Sequence, residues 1–158
     1  MNIFAIDKSP IACARALDDR RVIKMVLETC QILSTAVWRN GGRGPYRETH
    51  IHHPCCVWAM QTRANYMWTY ALFEALAQEF KHRYDKEHKS WQDHGEALLA
   101  AADLIPPGEL TPLPQCTPGV PKMDDVHEAY RRYLSLRWVR DIPGRLRWTK
   151  RLPPEWKN

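Results

Sequence analysis

The sequence predicts a mainly α, single-domain helical bundle with two long central helices, a Pro-rich loop and a basic, aromatic C-terminal segment. Apolar residues recur at helical spacing from Arg20 to about Val37. A second long apolar and aromatic stretch opens at Pro54, a residue suited to a first helical turn. The chain has 158 residues, 44% of them hydrophobic, which fills one core of ordinary size rather than two.

Taken in order, Asn2 to Ile6 is a short apolar run, either a strand or a buried coil. Ser9-Pro10 supplies a cap and a first-turn proline for a brief helix through about Leu17. Asp18 or Asp19 caps the next helix. There Val22, Val26, Cys30, Leu33 and Val37 form one face, and Met25, Ile32, Ala36 and the Thr29 methyl widen it. More than half of this helix is apolar, so it should be central. Gly41, Gly42, Gly44 and Pro45 end it in a loop, and the second long helix is expected from about Pro54 to Tyr84, carrying Trp58, Tyr66, Trp68, Tyr70, Phe73 and Phe80. A third helix is expected over Ser90 to Leu104. Pro106 to Pro121 holds six prolines and two glycines in sixteen residues, a loop long enough to suggest a functional role. Asp124 or Asp125 caps a last helix through about Trp138, and the tail beyond has no clear period.

Composition narrows the class. No run of about 18 apolar residues is present to span a bilayer, and Met1 to Ala5 is too short for a signal peptide, so a cytoplasmic, monomeric protein with no membrane contact is expected. Five cysteines, two of them adjacent (Cys55, Cys56), form no even framework, and reduced thiols are expected. The net charge of +5 is uneven: residues 131–158 contain nine Arg or Lys against Asp141 and Glu155. That concentration suits a phosphate backbone, and Arg131, Arg145, Arg147, Lys150 and Arg151 are the expected contacts. Tyr133, Trp138, Trp148 and Trp156 lie among these charges, and such interleaving suits stacking on unpaired bases.

The central helix carries one polar seam. Lys24, Glu28, Gln31 and Thr35 recur at spacings of four, three and four, with Arg20 and Arg21 extending the line. A carboxylate, an amine and an amide on one face of an otherwise apolar helix can line a cleft and work on a polar substrate. On the second helix Asn65, Tyr66 and Trp68 are read as pocket-lining residues, whereas Glu79 and Arg83, four apart, are read as a structural ion pair. His50, His52, His53, Cys55 and Cys56 crowd into seven residues, but zinc needs four ligands, usually from two clusters, and Cys30 and Cys116 stand alone. No metal or other cofactor is therefore expected. His53-Pro54 instead suits a phosphate at a helix start. Glycine-rich phosphate loops, dinucleotide fingerprints and nucleophile elbows are absent, which leaves nucleotide hydrolysis, hydride transfer and α/β-hydrolase chemistry without support.

These pieces together resemble a family of small phage and bacterial proteins described as pyrimidine-dimer DNA glycosylase-like. The matching stretches are Asn2-Ile3-Phe4; Asp19 to Met25 with Leu27-Glu28 and Gln31; His53-Pro54-Cys55 with Trp58; Asn65-Tyr66 with Trp68; and Arg83-Tyr84 with Lys86, His88 and Lys89. Leu110-Thr111-Pro112, Ala129-Tyr130-Arg131 and Trp148-Thr149 complete the set. The chain departs from the pattern at Arg20-Arg21, where relatives often carry Lys-His. Asn2 should also leave Met1 in place, unlike the small N-terminal residue of the well-understood dimer glycosylase.

The resemblance implies excision of a damaged or bulky modified pyrimidine from DNA, with defence against phages of modified DNA as one setting. Such chemistry needs a flipped nucleotide, stabilisation of an oxocarbenium-like sugar and a nucleophile at the anomeric carbon. Glu28 is the first candidate for the carboxylate and Asp19 the second. Lys24 is the amine for a Schiff base, with strand cleavage to follow, or a phosphate contact. Gln31 and Asn65 are expected to read the base edge, with Tyr66 or Trp68 stacking on it. Arg20, Arg21, His53 and the basic tail are expected to hold the backbone. Two other readings remain at this level: a metal-dependent nuclease or base-modifying enzyme using the His50–Cys56 cluster, and a non-catalytic DNA-binding module.

Overall fold

The computed structural model describes residues 1–141 and 144–157. It is all-α among those residues, with six helices: α1 (Pro10–Ala16), α2 (Asp19–Arg39), α3 (Pro54–Gln61), α4 (Arg63–Tyr84), α5 (Lys89–Ala100), which tightens into a 3₁₀ turn over Ala101–Leu104, and α6 (Val126–Arg140). The expected fold class is borne out. Helices α2 and α4 form the central pair; α1 packs on α4, while α3 and α5 bridge α2 and α4.

The starts of the helices follow from local chemistry. Ser9 caps α1 by accepting from Ala12 N–H (3.3 Å), and Asp18 caps α2 by accepting from Arg21 N–H (3.3 Å). Asp125, not Asp124, caps α6, accepting from His127 and Glu128. Each such cap satisfies an orphan donor and contributes about 1 kcal/mol. Asn2–Ile6 is a coil, with Ile3, Ala5 and Ile6 buried.

The expected single helix from Pro54 to Tyr84 is two helices. Thr62 sits between them in extended conformation (φ −136°, ψ 152°), and its hydroxyl accepts from Asn65 N–H (3.1 Å) to start α4. The same hydroxyl donates to Glu109 O (3.0 Å), and Arg63 N–H donates to Pro106 O (2.7 Å). A hydroxyl that competes with the helix ladder opens the chain, and the Pro-rich loop docks into the opening. The fit is close: a Cβ added to Gly108 would lie 2.9 Å from the Thr62 methyl.

The C-terminal segment is a belt packed on the helices. Trp138 is buried and stacks on Trp156 (centroids 5.3 Å apart, 17° between planes), while Trp148 meets it edge-on at 5.2 Å. The indole N–H groups of Trp138 and Trp148 are committed to Asp18 Oδ2 and Ala16 O, each at 2.9 Å. Trp138 therefore closes the core around α1 and the start of α2, which corrects the expectation that it stacks on bases, and Trp148 and Trp156 are half-buried against it.

The Glu79–Arg83 pair, read as structural, is buried and extends into a network of five residues. Arg83 Nε donates to Glu79 (2.8 Å), Nη1 to Asp19 (2.9 Å) and Nη2 to Arg15 O (3.1 Å). Arg151 from the belt grips Glu79 through Nε and Nη2 at 3.0 and 2.9 Å.

Candidate active site

Of the polar seam on α2, the structure gathers Lys24 and Glu28 into one cleft. Glu28 is mostly buried, with one carboxylate oxygen 3.0 Å from Lys24 Nζ and the other 3.5 Å from the α-amino nitrogen of Met1. The N-terminal coil delivers that amine. Asn2 organises it: its side-chain carbonyl accepts from the N–H groups of Ile3 (2.8 Å) and Phe4 (3.1 Å), and its amide donates to Cys116 O (2.9 Å). Phe4 is held at φ 41°, in the left-handed region that a bulky residue rarely occupies. Strain of this kind costs on the order of 1–3 kcal/mol and gathers at functional sites.

The cleft has a volume of about 290 Å³ and is walled by Phe4, Arg20, Arg21, Lys24, Tyr133 and Arg137. Phe4 and Tyr133 lie nearly parallel, with centroids 6.3 Å apart and 18° between planes, and the Arg137 guanidinium sits 5.9 Å from the Tyr133 centroid. Arg21 is tied to Asp18 and to Asp141 (3.1 Å), whereas Arg20 and Lys24 are exposed. A carboxylate flanked by two amines, inside a cationic mouth with two aromatic faces, is suited to a polyanion that carries a planar group.

The other expected site residues are distributed differently. Asp19 faces away from the cleft: it accepts from Arg83 Nη1 and, at 2.9 and 2.8 Å, from the N–H and hydroxyl of Thr149, so it anchors the belt. Asn65 is fully buried; its amide donates to Trp58 O and Thr111 Oγ1 and accepts from Thr111 N–H, which leaves no edge for a base. Tyr66 is buried with its hydroxyl on Leu98 O (2.7 Å). Trp68 is half-buried on a separate groove beside the Pro-rich loop, its indole N–H on Lys8 O (3.2 Å). Gln31 is half-buried one turn beyond Glu28, and Thr35 is buried against Thr49.

Among the expected phosphate contacts, Arg131 donates to Ile6 O (3.0 Å), Lys150 pairs with Asp85 (2.6 Å) and Arg151 with Glu79. Arg145 and Arg147 are exposed.

His53 caps α3 through Nδ1, which accepts from Cys55 N–H (3.2 Å). It borders a second hollow that shares Met1, Asn2 and Tyr133 with the cleft. Burial, followed by the Met1 ammonium and His50, lowers its pKa below the ordinary histidine value against an opposing pull from Glu28. Cys116, which stood alone in the sequence, returns to this hollow: its Sγ is 3.6 Å from Cys55 Sγ. Pairing across 61 residues depends on the path of the Pro-rich loop, which local spacing does not encode.

The site residues that the sequence reading missed are the Met1 amine, Phe4 and Arg137. Phe4 had a signal as the one aromatic in a short apolar run, and Arg137 follows Tyr133 by one helical turn. The Met1 amine had none, because only the buried path of the coil brings it to Glu28.

A helical chain with such a cleft has the makings of an enzyme that acts on nucleic acid. It belongs to the pyrimidine dimer DNA glycosylase family, whose model matches residues 1–93, more than half of the chain. The family is one of DNA glycosylases, with DNA as substrate. The matched region contains Met1, Lys24, Glu28, His53 and Cys55; Cys116, Tyr133 and Arg137 lie beyond it. Neither a curated protein nor a solved structure matches the chain. Among the described residues no helix is long and apolar enough to cross a membrane.

Proposed function

We propose that this chain excises a damaged or bulky modified pyrimidine from DNA, with Glu28 as the catalytic carboxylate and the α-amino group of Met1 as the attacking amine. The observation that carries this reading is the position of Glu28, 3.5 Å from that amine at the base of a cationic, aromatic cleft. Breaking the glycosidic bond sends the bonding pair onto the departing base. The amine forms the new bond to C1′ and passes a proton to Glu28, which can return it to the base. Opening of the sugar gives an imine; water then releases an abasic site, or β-elimination cuts the strand.

Lys24 also contacts Glu28, but its side chain is 70% exposed and must be ordered before it can attack, whereas the Met1 side chain is only 2% exposed and fixes the amine in place. Lys24 is assigned to a phosphate near the reacting sugar. Phe4 and Tyr133 offer the faces against which a flipped base can lie.

Borohydride reduction during turnover should trap a covalent protein–DNA adduct in the Met1 peptide. Adding two residues ahead of Met1 should abolish trapping, and Lys24→Ala should retain it. An adduct mapped to Lys24 would reassign the nucleophile; base release with no adduct would mean that Glu28 activates water instead. Release from hypermodified phage DNA in preference to UV-damaged DNA would indicate antiviral defence, and the reverse would indicate repair.

DNA affinity should report which cations meet phosphate. Arg20→Ala and Arg137→Ala are expected to weaken binding on every sequence and each to reduce the slope of log K against log salt by about 0.9. Lys150→Ala, which loses an ion pair within the protein, should leave the slope unchanged. Equal effects from all three would return the belt to the DNA interface.

A further inference from the structure

We propose that His53, Cys55 and Cys116 form a binding site for a zinc-class divalent ion, with three protein ligands and a fourth position open to the hollow beside Met1. Their ligand atoms, one per residue, all lie within 4.8 Å of one another. The two sulfurs are 3.6 Å apart. Two thiolates on one tetrahedral zinc, with Zn–S bonds of about 2.3 Å, are separated by about 3.8 Å, so the sulfurs already have the spacing of a shared ion. A sulfur-to-nitrogen edge of such a tetrahedron is about 3.5 Å, so the imidazole has to close by roughly 1 Å.

The surroundings hold the ligands as a metal site requires. Cys116 is pinned on both sides of its sulfur: its N–H donates to Tyr130 Oη (3.2 Å), its carbonyl accepts from Asn2 (2.9 Å), and Tyr130 is fixed in turn by donating to Pro114 O (2.8 Å). Tyr130 is fully buried, so this clamp is part of the core. Cys55 is the second residue of α3 and is fully buried, so the helix start fixes the position of its sulfur. Nitrogen and sulfur donors without a carboxylate select zinc over magnesium or calcium. Binding releases one proton from each thiol to solvent, and His53 exchanges its hydrogen bond to Cys55 N–H for the metal bond.

Occupancy would tie the Pro-rich loop to the start of α3, immediately behind the amine that lies against Glu28. The inference does not depend on glycosylase activity, and its test reads metal directly. Reduced, metal-free protein titrated with Co²⁺ should develop a thiolate-to-cobalt charge-transfer band at one equivalent and should gain thermal stability on adding Zn²⁺. Cys116→Ala should abolish the band while circular dichroism confirms the fold, and Tyr130→Phe should weaken affinity about 10-fold by loosening the clamp. Absence of the band, or a band unchanged in Cys116→Ala, overturns the proposal. So does protein that binds no metal but isolates with Cys55 and Cys116 oxidised to a disulfide, which would mark the pair as a redox couple.

Discussion

Glu28→Gln is expected to lower the rate of base release by about 10³-fold while leaving DNA affinity within a few-fold of the parent. The substitution preserves shape and removes the charge that opposes the sugar cation and accepts the amine proton, a role worth about 10²–10⁴ in rate. Glu28 is mostly buried between two amines, so its loss also leaves the Met1 amine and Lys24 without their shared counter-ion. Single-turnover kinetics with binding measured in parallel separates these effects. Asp19→Asn is the contrasting variant. Because Asp19 holds Arg83 and Thr149, its substitution should lower the melting temperature and leave the rate per folded molecule close to the parent. A catalytic loss at Asp19 equal to that at Glu28 would exchange their roles.

The second large effect concerns stability. Arg83→Met is expected to cost about 3–5 kcal/mol, since it leaves Glu79 and Asp19 with reduced compensation in the interior. For a chain of this size that corresponds to a fall in melting temperature of about 10 °C. Acid should act on the same network. Burial alone raises the pKa of Glu79, but hydrogen bonds and charge from Arg151 and Arg83 overcome it and hold the carboxyl below its ordinary value. A depressed folded pKa contributes stability that is fully present above the ordinary glutamate range and is lost as pH falls through the folded value. Denaturant melts of the parent and of Glu79→Gln should therefore differ at neutral pH and converge in strong acid. A constant difference across that range would place the effect in packing rather than in charge.

The elements that a local signal specifies were legible from the chain alone. Ser9-Pro10 and the Asp18-Asp19 pair marked two helix starts, the spacing of Val22, Val26, Cys30 and Leu33 marked the buried face of α2, and the spacing of Glu79 and Arg83 marked an ion pair. Lys24 and Glu28 came from the same periodicity. What was not legible depends on chain segments meeting across long separations. Thr62 reads as an ordinary helical residue until the Pro-rich loop supplies Glu109 O and Pro106 O to the break. Asn65 is polar and spaced for a pocket, yet Thr111 consumes its amide. The charged tail lacks periodicity because it is a belt, fixed residue by residue to Asp19, Glu79 and Asp85. Cys116 and the Met1 amine reach the cleft region by the paths of irregular segments, for which side-chain period gives no prediction.

The most direct test is incubation of the purified full chain, with chelator present, on duplex DNA carrying unmodified, UV-damaged or hypermodified pyrimidines, followed by detection of free base and abasic sites. Excision by the Glu28 cleft should release one altered pyrimidine class, spare unmodified DNA and require no metal in the chemical step. Intact DNA with every substrate would contradict it.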